Sequence, residues 1–147
     1  MDKIKVSKAF TFDMAHALYA YDGLCKNIHG HTYHLVITLE GIPIQEISNP
    51  KDGMVIDFKI LKQIVQEQIL DVFDHALVLN GRAEEHIPIK EKIQTQFEKI
   101  LFLDCQPTAE NLLIHFKNKL LPLFNDPYKL VYLKLMETPN SWVEWSI

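Results

Sequence analysis

The order of the predicted elements makes this an α+β chain, with a four-stranded antiparallel sheet and two helices on one face. Three observations carry that expectation. Alternating apolar runs stand at both ends of the sequence, helical periodicity stands between them, and each end pair of strands reads as a hairpin. The 147 residues suit one domain spanning 1–147, large enough for a real core.

The first strand is predicted from Val6 to His16, where VSKAFTFDMAH carries aromatics and partial alternation. Ala17 to Ile28, with Gly23 and several polar residues, is an exposed loop. A second strand follows from His31 to Gly41. His31, Tyr33, Leu35, Ile37 and Leu39 share one of its faces, and Thr32, His34, Val36, Thr38 and Glu40 share the other. Asn49 to Gly53 is a loop rich in chain-breaking residues. Asp57 then caps a helix, FKILKQIVQEQILDVF, with Phe58, Leu61, Ile64, Val65, Ile69 and Val72 at near-helical spacing.

Asp74 to Asn80 reads as a turn and a short extended piece, and Ile100 to Leu103 as a short strand, together a minor hairpin between the helices. The polar stretch Gly81 to Lys99 between them shows no clear pattern and is expected to decorate the surface or to touch the site. Thr108 caps a second helix, AENLLIHFKNKLLPLF, whose stripe is Leu112, Leu113, Phe116, Leu120 and Leu123. Pro127 ends that region. Leu130 to Glu137 and Trp142 to Ile147 are the last two strands, joined by a turn over Thr138, Pro139, Asn140 and Ser141.

Apolar residues make up 48% and charged residues 23%, the balance of a soluble globular chain. No apolar run approaches the roughly 20 residues that span a bilayer. The first ten residues lack a signal-peptide core, so a cytoplasmic location is expected. The net charge of −4 and the lack of a basic stripe argue against nucleic acid as a partner. Two cysteines, Cys25 and Cys105, are too few for a disulfide scaffold and would stay reduced in a cytosol.

Four of the seven histidines, His16, His29, His31 and His34, crowd into the first quarter of the chain. His29-Gly30-His31 enters the second strand, where side chains two apart point to one side. Gly30 lets the backbone pass close by. A hairpin would bring His16 level with this pair. Three neutral imidazoles with an open fourth position would make a catalytic zinc site. The plainer alternative is a set of core or surface histidines sharing a strand. His34 lies on the other face and is excluded as a ligand.

Cys25 stands four residues before His29. A thiol near a divalent cation has a lowered pKa and serves as a base or nucleophile. Cys105 follows an apolar run and reads as an ordinary semi-buried residue. Asp74 and His75 are a carboxylate and an imidazole in adjacent positions, suited to a relay. On local sequence alone the plainer reading is that Asp74 caps its turn. Glu137 closes a strand and could accept paired hydrogen bonds from a guanidine-like edge, but a hairpin-end carboxylate is unremarkable. Glu110 sits in the first turn of its helix, where the dipole already explains it.

FDMAHAL, CKNIHGHTY, GMVIDF, DHALVLN, PTAEN and ETPNSW occur in that order. Together they resemble the 6-pyruvoyltetrahydropterin synthase superfamily, and within it the 6-carboxytetrahydropterin synthases of queuosine biosynthesis. The resemblance runs from about Ile4 to Trp145. It implies the tunnelling fold (T-fold), assembly of sheets into a barrel as trimers or homohexamers (dimers of trimers), and active sites between subunits. It implies Zn2+ on His16, His29 and His31, catalysis by Cys25, Asp74 and His75, and substrate binding by Glu137 and Glu110. The implied substrate is a pterin triphosphate, 7,8-dihydroneopterin triphosphate, with Lys26 as a minor candidate for its phosphates. The three residues between Cys25 and His29 look like the carboxy-forming bacterial type, with the pyruvoyl-forming reaction as the alternative. A non-catalytic zinc- or pterin-binding module is the rival from another class.

Overall fold

β1 (Ile4–His16) and β2 (His29–Gly41) pair antiparallel along their whole length, from Ile4 opposite Gly41 to His16 opposite His29. The computed structural model describes residues 1–84 and 87–147. β2 starts two residues before its expected start because His29 finds a cross-strand partner in His16. Alternation sends Phe10, Phe12, Met14 and His16 from β1 to the same face as Tyr33, Leu35, Ile37 and Leu39 from β2, and all eight are buried. β5 (Tyr128–Thr138) pairs antiparallel with β2, with a bulge at Thr38/Leu39, and β6 (Ser141–Ser146) pairs antiparallel with β5.

β3 (Ala76–Asn80) and β4 (Ile100–Leu103) extend the sheet to six strands in the order β4-β3-β1-β2-β5-β6. The four antiparallel strands are as expected, but the minor hairpin is not. β3 runs parallel to β1 over Met14 to His16, and β4 runs parallel to β3. Parallel neighbours need a crossover. The helical run after β2 supplies one, as α1 (Phe58–Val65), a π turn (Gln66–Leu70) and α2 (Asp71–Phe73). α3 (Ile87–Gln94), inside the stretch that showed no pattern, supplies the other. Glu85 and His86 of that stretch lie outside the described residues.

The π turn has a visible consequence. An extra residue per turn rotates the helix face. The buried residues of the run are therefore Leu61, Val65, Ile69, Leu70 and Phe73, while Val72 is only half-buried. Asp57 caps the run by accepting from the Lys59 amide at 2.8 Å. α4 (Ala109–Leu120) is capped by Thr108 and buries Leu112, Leu113, Phe116 and Leu120. A 3-10 turn over Leu121–Leu123 follows, so Phe124 enters the core and Leu123 faces out.

α1 and α4 pack on the face that carries Phe12, Tyr33 and Leu35. Phe12 stacks on Tyr33 with ring centroids 5.3 Å apart and meets Phe116 edge-on. In β3, Ala76 and Val78 join this core, whereas Leu77 and Leu79 turn to a second cluster with Ala17, Ile93, Ile100 and Phe102. α3 therefore covers the opposite face beside β3 and β4. Elsewhere that face is polar: Ser7 bonds Thr38, Thr11 bonds His34 and Thr32 bonds Asp13. Among the described residues, no helix is long and apolar enough to cross a membrane.

Candidate metal centre and acid–base pair

Among the described residues, two groups of side chains have metal-ligating atoms within 4.8 Å of one another. One is His16, His29 and His31, and the other is Asp13, Asp74 and His75. The hairpin register builds the first, because His16 and His29 are direct partners and Met14 opposite His31 is two residues from His16. His34 is on the other face, bonded to Thr11. A Cβ on Gly30 would stand 3.3 Å from the Met14 carbonyl oxygen. That glycine serves a close approach to β1 and leaves the space between the imidazoles untouched.

Backbone contacts fix how the imidazoles are protonated. His16 Nδ1 donates to the Pro107 carbonyl at 2.7 Å, and His29 Nδ1 donates to the Asn27 carbonyl at 2.8 Å. With the rings neutral, both Nε2 atoms present lone pairs, and they face each other at 3.1 Å. Burial lowers the pKa of His16, keeping it in the neutral form that binds metal. His31 Nε2 is buried with no hydrogen-bond partner, 3.8 Å from Glu137 Oε1. Two nitrogens about 2.05 Å from one tetrahedral zinc stand about 3.3 Å apart. Facing lone pairs and an orphaned third nitrogen are what a cation between them would relieve, so the residues fit a zinc ion.

Tyr33 shares this face and was missed in the sequence, although its alternation with His31 is the signal for it. Its ring lies edge-on to both His16 and His31. Its hydroxyl is fully buried beside the Glu137 carboxylate, without a well-formed hydrogen bond. Burial, and then the charge and hydrogen-bonding pull of Glu137, push it far above the usual phenol range.

The second group lies at the edge of β1, beside the end of the strand that carries His16. Asp13 and Thr32 are cross-strand partners, with Thr32 Oγ1 donating to Asp13 Oδ1 at 2.6 Å, and by alternation both point away from the three imidazoles. Asp74 accepts from the Asp13 amide at 3.0 Å and stands 3.0 Å from His75 Nδ1. Burial opposes ionisation of Asp74, but the Asp13 amide, His75 and Lys99 overcome it and hold the carboxyl below its ordinary value. His75 adopts a left-handed backbone, φ 61. Such a conformation costs a non-glycine residue on the order of 1–3 kcal/mol and is kept only where its surroundings enforce it.

Cys25 sits half-buried in a 3-10 turn, Leu24–Lys26, on the loop joining the two histidine-bearing strands, and belongs to neither group. Its carbonyl accepts from the Leu18 amide at 2.9 Å. Lys26 is exposed in the same turn. Cys105 is semi-buried as expected, and burial pushes its thiol up. Glu110 lines a recess of about 200 Å³ with Lys117 and Trp145. A larger cavity, about 990 Å³, is lined by Asp13, Gly30, His31, Thr32 and His75 and by Gln96 to Lys99. The polar stretch thus reaches the site.

The fold and these motifs have relatives. The sequence model described as 6-pyruvoyl tetrahydropterin synthase matches residues 5–146. The 6-carboxy-5,6,7,8-tetrahydropterin synthase of Haemophilus influenzae is 38% identical over 141 residues, 96% of this chain and 97% of that protein. The enzyme of the same name from Rickettsia bellii is 34% identical over 144 residues, 96% of this chain and 99% of that protein. The solved 6-pyruvoyl tetrahydropterin synthase of Caenorhabditis elegans shares the tunnelling fold, with a TM-score of 0.70 at 24% identity over 100% of this chain and 97% of that one. A match across nearly every residue, at this identity, shows that the chain belongs to the 6-pyruvoyl tetrahydropterin synthase family.

Proposed function

We propose that this chain is a carbon–carbon lyase, a zinc-dependent 6-carboxytetrahydropterin synthase. With one water consumed, it would convert 7,8-dihydroneopterin triphosphate to 6-carboxy-5,6,7,8-tetrahydropterin, acetaldehyde and triphosphate, for queuosine and other 7-deazaguanine compounds. The observation that carries the reading is the triad of His16, His29 and His31 with Glu137 3.8 Å from His31. The relatives named for the carboxy product favour that outcome.

Zinc held by the three imidazoles would supply Lewis acidity to the substrate's side-chain hydroxyls. Glu137 accepts two hydrogen bonds from the pterin's 2-amino and N3 edge and so turns the side chain toward the imidazoles. His75 Nδ1 is engaged by Asp74, which leaves Nε2 to take and return a proton, while the ionised Asp74 supports the imidazolium. The Cys25 thiol moves the second proton. Glu110 is tested apart from these: Glu110→Gln lowers turnover if it binds substrate, and unchanged turnover removes it from the site.

The reading includes a homohexamer, a dimer of trimers with sites between subunits. One observation supports it. Among the described residues β1 pairs with β3 over Met14–His16 alone, and β4 and β6 are the outer strands, so each copy offers open edges for barrel closure.

Product identification by mass spectrometry after incubation with 7,8-dihydroneopterin triphosphate tests the reaction. Acetaldehyde and the 6-carboxy product are expected. Triphosphate without acetaldehyde would favour the pyruvoyl product, which the 31% identical 6-pyruvoyl tetrahydrobiopterin synthase of Dictyostelium discoideum keeps in view. No turnover with or without added zinc would sink the scheme and leave a binding module.

A further inference from the structure

Besides the helical bond from the Asp74 amide to the Leu70 carbonyl, four contacts hold the Asp74–His75 pair. The Asp13 amide donates to the Asp74 carboxylate, and the His75 amide donates to the Asp13 carbonyl at 2.6 Å. Asp74 Oδ2 meets His75 Nδ1. The fourth is the Lys99 ammonium, which donates to the Asp74 carbonyl. The second and fourth act on one peptide unit, the one joining Asp74 to His75. Its N–H is held by the β1 backbone and its C=O by Lys99. That peptide unit leads directly into the left-handed residue of the turn.

The β1 backbone makes its two contacts whatever side chain stands there. Lys99 is the contact that depends on a side chain outside the pair. It comes from the end of the polar stretch, immediately before β4, and its own carbonyl accepts from the Leu77 amide at 3.0 Å. Lys99 thus clasps the entry of β3 at two points. Among the described residues no carboxylate lies within ion-pair distance of its ammonium, and it lines the large cavity with His75. An ammonium has three donors, so the carbonyl takes one.

We propose that Lys99 is the positioning residue of the acid–base pair, fixing the Asp74–His75 peptide unit so that the imidazole is presented in one orientation. The inference rests on the pair acting in the proposed reaction. Its test has two arms, run on the full-length protein with zinc content measured alongside. In the first, Lys99→Met lowers kcat about tenfold or more with KM within about twofold, as a misplaced proton-transfer group does. Lys99→Gln, whose uncharged amide still donates to the carbonyl, recovers most of that loss. In the second, hydrogen exchange of the peptide containing the His75 amide accelerates in Lys99→Met and returns toward the wild-type rate in Lys99→Gln, without substrate.

A rise in KM alone would make Lys99 a ligand-binding group and overturn the proposal. So would equal damage from Met and Gln, which would assign the effect to charge, or faster exchange with unchanged kcat. If Lys99→Met loosens the whole chain, the Lys99→Gln comparison still decides. A wild-type protein inactive on the pterin triphosphate would sink the function alone, because the exchange arm reads the clasp without it.

Discussion

Replacing Tyr33 by Phe removes one atom from the centre of the site. The hydroxyl makes no well-formed hydrogen bond, although the Glu137 carboxylate is near, and has no exposure, while the ring keeps its stack on Phe12. A buried polar group without a partner carries a desolvation cost of about 1–3 kcal/mol. Tyr33→Phe is therefore expected to stabilise the metal-stripped protein by about 1–2 kcal/mol, the lower part of that range because the Glu137 carboxylate is close. For a chain of this length that is a rise in Tm of roughly 2–8 °C. Urea unfolding in the presence of a chelator reads it, and the slope should not change. The sign is the decisive result. If Glu137 accepts the phenol proton in solution, the variant loses a charge-assisted bond and falls by about 1.5–3 kcal/mol, which would refute the reasoning. The metal-loaded variant should also turn over more slowly, because the hydroxyl stands beside the proposed pterin anchor.

Phe12→Ala should cost about 3–5 kcal/mol in chemical denaturation, because it leaves a cavity against both Tyr33 and Phe116. His29→Ala should leave the purified protein without stoichiometric zinc by elemental analysis while its fold persists by circular dichroism, since His29 is only half-buried at the strand end. Asp74 has its pKa depressed, so the stability it contributes is fully present above its ordinary value of 3.8 and is lost as pH falls through its lower folded value. The difference in urea midpoint between wild type and Asp74→Asn should therefore be constant near neutrality and shrink in that acid window. A difference that grows on acidification would reverse the assignment.

Most of the antiparallel half of this fold was legible, for a simple reason. β1, β2 and β5 bury one face and wet the other, so period-two alternation names their inner residues directly. The same alternation put His31 on the inner face and excluded His34. The parallel strands were harder, because β3 is covered on both faces and its pattern does not alternate. α3 was missed for lack of a strong apolar stripe, although Pro88 in its first turn is a helix-start signal. The π turn left no mark beyond a one-residue phase change, visible only as Phe73 replacing Val72 in the core. The histidine triad needed only the register of one hairpin. The support for Asp74 and His75 comes from Asp13 and Lys99, far away in sequence and unremarkable locally.

The bond from His16 Nδ1 to the Pro107 carbonyl joins residues 91 positions apart. It ties the orientation of one imidazole to the chain just ahead of α4, so an ion bound there would be linked thermodynamically to the docking of that distant segment. For an ion bound only by the folded form, each tenfold rise in its free concentration above the dissociation constant adds about 1.4 kcal/mol to folding. The margin of stability of the fold would then follow the supply of the ion. Starvation for it would be felt as a smaller reserve against unfolding as well as loss of chemistry.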